Sequence, residues 1–138
     1  MGIEKSENLF FCGLYNYSEN QFPLHVVSDE CSISTYKGEA SNLAEIHSKK
    51  PNNWKAEKKN NLGTWTVMKI TPNYSVVICA GGKYRGYVVS KYLEEIKDSL
   101  KDIIEWENKD SKVLKKEFNS KFNSLFDKYK VLEKADIL

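Results

Sequence analysis

Leu62-Gly63-Thr64-Trp65-Thr66-Val67-Met68-Lys69-Ile70-Thr71-Pro72-Asn73-Tyr74-Ser75-Val76-Val77-Ile78-Cys79-Ala80 carries the clearest pattern in the chain. Thr64, Thr66, Met68 and Ile70 alternate with Trp65, Val67 and Lys69, the period of two that sends successive side chains to opposite faces of a strand. Thr71-Pro72-Asn73 is turn chemistry, and Tyr74 to Ala80 follows as an almost unbroken apolar run. An apolar run of that length is buried on both faces, so it predicts a central strand paired antiparallel with the one before it.

The pattern continues on either side of this pair. After Gly81-Gly82, the residues Val89, Leu93, Ile96, Leu100 and Ile103 step by four and three with charges between them, which predicts a long amphipathic helix. Asn108 to Ser111 interrupts it, Asp110 or Ser111 can cap a new start, and Leu114, Phe118, Phe122, Leu125, Tyr129 and Leu132 form a second apolar stripe. On the N-terminal side, residues 51 to 61 are rich in Asn and Lys, and Trp54 and Ala56 support at most a short edge strand. Lysines suit such an edge, because charge discourages pairing with another chain. Tyr36, Ala40, Leu43, Ala44 and His47 keep helical spacing, with Ser34 or Thr35 as the expected cap, Gly38 as a weak point and Pro51 as the stop. Two apolar runs, residues 8 to 15 and Phe22 to Val27, flank the turn-rich Asn16 to Asn20 and predict a hairpin. The predicted order is ββαβββαα, an α+β domain.

With 138 residues, the chain suits one core; dividing it would leave two marginal ones. Hydrophobic content of 41% supplies that core. The balance of 21 basic and 19 acidic residues is a net +2, too weak a field to argue for nucleic acid or an anionic membrane. Trp54, Trp65, Tyr84-Arg85 and Tyr87 place aromatics near bases, yet no RNP-like motif accompanies them. Locally, Lys49, Lys50, Lys55, Lys58 and Lys59 surround a single acid, Glu57. Cys12, Cys31 and Cys79 are odd in number and widely spaced, which predicts reduced thiols in a cytoplasmic setting. No stretch reaches the roughly 18 apolar residues of a membrane span. Met1-Gly2-Ile3-Glu4-Lys5-Ser6 fits the loose pattern for N-myristoylation.

Motifs that carry chemistry are weak here. Gly81-Gly82-Lys83 sits between strand and helix, but a phosphate loop needs a glycine where Val77 stands and Ser or Thr where Tyr84 stands. Only a Cys-His dyad could supply covalent catalysis, since His25 and His47 are the two histidines and no Gly-x-Ser-x-Gly elbow occurs. Cys12 and Cys79 fall in apolar strands, where thiols are usually inert. Glu94, Glu95, Asp98 and Asp102, interleaved with Lys97 and Lys101, read as an exposed ion-pair face. The expectation is a non-enzymatic domain with no cofactor and no metal.

Gly63 to Lys69, Val76-Val77-Ile78-Cys79, a polar turn ending Lys83-Tyr84, and Val88-Val89-Ser90-Lys91-Tyr92-Leu93-Glu94-Glu95-Ile96 together resemble the last two strands, turn and following helix of the longin domain, which begins several R-SNAREs of vesicle traffic. Phe126-Asp127-Lys128-Tyr129-Lys130-Val131-Leu132-Glu133-Lys134-Ala135-Asp136-Ile137-Leu138 is similar to the linker that joins longin domain and SNARE coiled coil in the lipid-anchored R-SNARE. The family's Pro and Arg after the Lys-Tyr turn are replaced here by Arg85 and Tyr87. The resemblance implies a longin/profilin-like fold, a five-stranded, mostly antiparallel sheet with one helix on one face and two on the other. It implies an N-terminal extension at 1–7, a longin domain at 8–130 and a linker beginning at 131–138, with SNARE heptads expected to follow. It also implies a regulatory role in membrane fusion and ER-Golgi transport, cytoplasmic and peripheral to Golgi, ER or vesicle membranes. The partner would be a SNARE coiled-coil segment, its own or another's, or a lipid group, held in a groove between the first helix and the edge strand. Tyr36, Leu43, Ile46, Trp54 and Ala56 are the expected lining. The alternative is a free-standing longin- or roadblock-like subunit of a tethering or coat complex.

Overall fold

The computed structural model describes residues 9–28, 31–81 and 86–99, together with three helical positions, Lys116, Ser120 and Ser124. Five strands form one sheet: β1 (Leu9–Asn16), β2 (Gln21–Val27), β3 (Lys55–Asn60), β4 (Gly63–Thr71) and β5 (Tyr74–Ala80). Two helices join them, α1 (Ile33–Ile46) between β2 and β3, and α2 (Gly86–Ser99) after β5. The spatial order is β2-β1-β5-β4-β3, and every neighbouring pair is antiparallel.

The sheet follows from its burial pattern. In β5, the residues from Ser75 to Ala80 are all buried, and the strand lies between β1 and β4, as its apolar run predicts. The two edges are chemically different from the centre. β2 carries Pro23, whose missing N–H is tolerated at an edge, and β3 is Lys-Ala-Glu-Lys-Lys-Asn. The β3–β4 turn is held by Asn60, whose Oδ1 accepts from Leu62 N at 2.9 Å and from Trp65 Nε1 at 3.1 Å. Gly63 follows at φ +146°, where a Cβ would stand 2.5 Å from the Ala80 carbonyl oxygen, so only glycine fits.

Alternation along the strands divides the core into two layers. Cys12, Leu14, Met68, Val76 and Ile78 pack with Val89, Tyr92, Leu93 and Ile96 of α2. Phe11, Tyr15, Trp65, Val67, Val77 and Cys79 pack with Tyr36, Ala40, Leu43 and Ala44 of α1. The α1 layer is aromatic: Phe11 meets Phe22 edge-on at 5.5 Å and Trp65 at 6.1 Å. Each helix thus covers its own face of the sheet.

Two details of α1 differ from the sequence reading. The helix starts earlier, with Ser32 rather than Ser34 or Thr35 as cap; Ser32 Oγ accepts from Thr35 N at 3.4 Å and from Thr35 Oγ1 at 3.1 Å. Ile33 was invisible as a helical residue because it is 58% exposed and belongs to no apolar stripe. The helix also ends before Pro51, at His47, whose backbone N–H caps Ala44 and Glu45. In α2, Val89, Leu93 and Ile96 are buried as expected, joined by Tyr92. Leu100, Ile103, the stripe from Leu114 to Leu132, the linker at 131–138, the extension at 1–7 and the Gly82-Lys83 turn lie outside the described residues.

Candidate functional site

A groove of about 160 Å³ runs between the C-terminal half of α1 and the edge strand β3. Its position follows from sheet register. Ala56 pairs with Val67 and Lys58 with Trp65, so the even-numbered residues of β3 share the α1 face with the odd-numbered residues of β4. Trp65 and Val67 form the floor, Leu43 and Ile46 one wall, and Ala56 the other. His47, Glu57 and Lys58 complete the rim. Lys58 Nζ reaches across to Glu39 Oε1 at 3.7 Å, tying strand to helix, an exposed pair worth little in stability. Ile46 is 67% exposed beside this apolar floor, a large side chain presented to solvent where a helix end could have carried a charge. His47 Nδ1 lies 2.8 Å from Leu43 O, which fixes the ring at the groove's end.

Leu43, Ile46 and Ala56 therefore come together as groove lining, whereas two other expected residues stand elsewhere. Tyr36 belongs to the core: it is buried, its hydroxyl donates to Leu62 O at 3.0 Å, and its ring packs on Phe10 and Trp65. It sits nearly two turns ahead of Leu43, too far along the helix to reach the groove. Trp54 precedes β3 and lies under the Lys50 ammonium, 4.6 Å from the ring centroid, outside the groove. Trp65, Val67 and Lys58 are lining residues that helical spacing could not reveal, whereas His47 stood in the helical stripe. For Trp65 and Val67 the signal existed, since their strand face was legible, but the register that brings β3 beside them was not.

At the same C-terminal end of α1, on the side that meets β1 and β4, is a polar cluster. Tyr15 donates from its hydroxyl to Glu45 Oε1, and the Tyr17 hydroxyl donates to Ala44 O at 2.8 Å and accepts from Ser75 Oγ at 2.8 Å. Lys69, buried, donates to Ser48 O, and its ammonium lies 4.2 Å from the Tyr17 ring centroid. Burial pushes the Lys69 ammonium below its ordinary value. These contacts hold the C-terminal end of α1 against the sheet and so position Ile46 and His47.

The thiols are placed differently. Cys12 and Cys79 are buried in β1 and β5, and burial pushes both well above the ordinary thiol value, against formation of a thiolate. Among the described residues, no three His, Cys, Asp or Glu side chains converge as metal ligands would, and no helix is long and apolar enough to cross a membrane. Compared with models of protein families and with curated proteins, the chain has no match in either.

Proposed function

We propose that the chain is a non-catalytic regulatory domain of the longin type, whose α1–β3 groove receives an amphipathic segment of an R-SNARE. One observation carries this reading: a groove of about 160 Å³ lies between a helix and an edge strand over the buried Trp65 and Val67, with Ile46 exposed at its lip. A helix with an apolar stripe would seat against Ile46 and Ala56, while Glu57 and Lys58 at the rim would meet charges on its flanks. The five-stranded antiparallel sheet with helices packed on it is consistent with a longin-like fold, without being specific to it. In this reading the full protein works at Golgi, ER or vesicle membranes. The function needs burial of apolar surface and no reacting group, which agrees with two thiols held away from ionisation.

The test is a titration of the full chain with a synthetic peptide of four apolar heptads bearing a central arginine, followed by amide and indole NMR shifts. Saturable shifts at Leu43, Ile46, Ala56 and the Trp65 indole are expected. Ile46→Asp should abolish them while changing stability by less than about 0.5 kcal/mol, because the side chain is mostly in solvent. Shifts that scatter over the surface, or survive Ile46→Asp unchanged, would defeat the reading.

A further inference from the structure

The opposite face of the same sheet edge holds a second cavity, of about 240 Å³, between β3, β4 and the first turns of α2. Its composition differs from that of the α1 groove. Lys55, Glu57 and Lys59, the odd-numbered residues of β3, line it opposite Thr64 and Thr66 of β4. Ser90 of α2 closes it, with Lys55 Nζ 3.4 Å from Ser90 Oγ. Ala80, Val89 and Leu93 form its apolar base.

Two features of this cavity suit a polar, anionic occupant. Thr66 is 5% exposed, opposite Ile78 in the central sheet, and among the described residues its hydroxyl has no hydrogen-bond partner. Thr66 lines the cavity, so its hydroxyl is open to a polar group there, as a valine methyl would not be. Lys55 and Lys59 form no ion pair among the described residues, unlike Lys58 on the other face. Two ammonium groups against the one carboxylate of Glu57 leave the cavity cationic by one charge.

We propose that this cavity binds a phosphorylated polyol, either a sugar phosphate or the phosphoinositol headgroup of a lipid. Lys55 and Lys59 take the phosphate, Thr66 and Ser90 donate to its oxygens, and Glu57 accepts from the ring hydroxyls. Ala80, Val89 and Leu93 lie against the C–H face of the ring. At about 30 Å³ per water, the space holds several waters, enough for a phosphate and a six-membered ring. The cavity shares Ala56 and Glu57 with the α1 groove at the β3 edge, but Lys55, Lys59, Thr64, Thr66 and Ser90 belong to it alone.

The experiment is a titration of the ¹⁵N-labelled full chain with glucose 6-phosphate, with inorganic phosphate in parallel. A third arm measures co-sedimentation with phosphatidylcholine vesicles containing phosphatidylinositol 4-phosphate. Saturable shifts at Lys55, Thr64, Thr66 and Ser90 are expected, tighter for glucose 6-phosphate than for phosphate. Lys55→Ala with Lys59→Ala should abolish them; Lys58→Ala, with a single charge lost from the other face, should leave them. Thr66→Val keeps the side-chain shape and should weaken binding about fivefold, the loss of one hydrogen bond. Vesicle binding that the double variant loses, without binding of glucose 6-phosphate, supports the proposal with the lipid as source. Equal affinity for phosphate and glucose 6-phosphate, or no binding in any arm, overturns it, as does binding that tracks Lys58 instead.

Discussion

Trp65 joins more of the fold than any other single side chain. It is fully buried, it touches Phe11 and Tyr36, its indole N–H donates to the β3–β4 turn at Asn60, and its outer edge floors the groove. Trp65→Ala should cost about 3–5 kcal/mol in urea unfolding, the usual range for removing a large aromatic from a core. Buried acids set the alkaline limit of the fold. Burial raises Cys12 and Cys79 above the 9.0 of an exposed thiol, and raises Tyr15, Tyr17 and Tyr36 above 10.0. In the unfolded chain these groups lose protons at their ordinary values while the folded protein retains them. Through these five groups the folded state binds more protons above pH 9, so their contribution to stability is level below that pH and falls as pH rises through it, more steeply past 10, while the lowered Lys69 ammonium opposes the fall. The double variant Cys12→Ala, Cys79→Ala should show no fall between 9 and 10 in a pH series of unfolding midpoints. A fall unchanged in that variant would assign the effect elsewhere.

Among the elements, α1 depends most on its ends. Its start rests on one side chain, Ser32, and Ser32→Ala should destabilise the protein by about 1 kcal/mol, as loss of an N-cap usually does. The same substitution at Ser34, inside the helix and exposed, should have little effect, and comparing the two midpoints decides which serine is the cap. The helix's buried stripe, Tyr36, Ala40, Leu43 and Ala44, was legible from spacing alone. Its boundaries were not, because capping rests on side chains whose geometry carries no apolar periodicity. Edge strand β3 shows the converse. Its lysines suit an edge, but they do not form one patch: alternation sends Lys55 and Lys59 to the α2 side and Lys58 to the α1 side.

Over the whole molecule, protection from exchange should follow the order of the sheet. Amides of β5, paired on both sides and buried, should exchange only on global unfolding, whereas those of β3 should exchange through local opening. Hydrogen exchange by mass spectrometry tests this directly, and equal protection in β3 and β5 would contradict it. Alternating and continuous apolar patterns were enough to determine the order of elements through α2, the central place of β5 and the two faces of β4, because burial acts on each residue through its local period. They also gave the β1–β2 hairpin and the β4–β5 pair, but not that β1 lies beside β5 or that β2 and β3 are the two edges, since the path from β2 through α1 to β3 spans the sheet from edge to edge and leaves no local trace. That long-range register alone brings Leu43 and Ile46 opposite Ala56, puts Tyr36 in the core, leaves Trp54 beside Lys50, and opens a lysine-lined cavity on the far face. The groove and the cavity arise from pairing between distant segments, so only the tertiary structure decides which of these residues can meet a ligand.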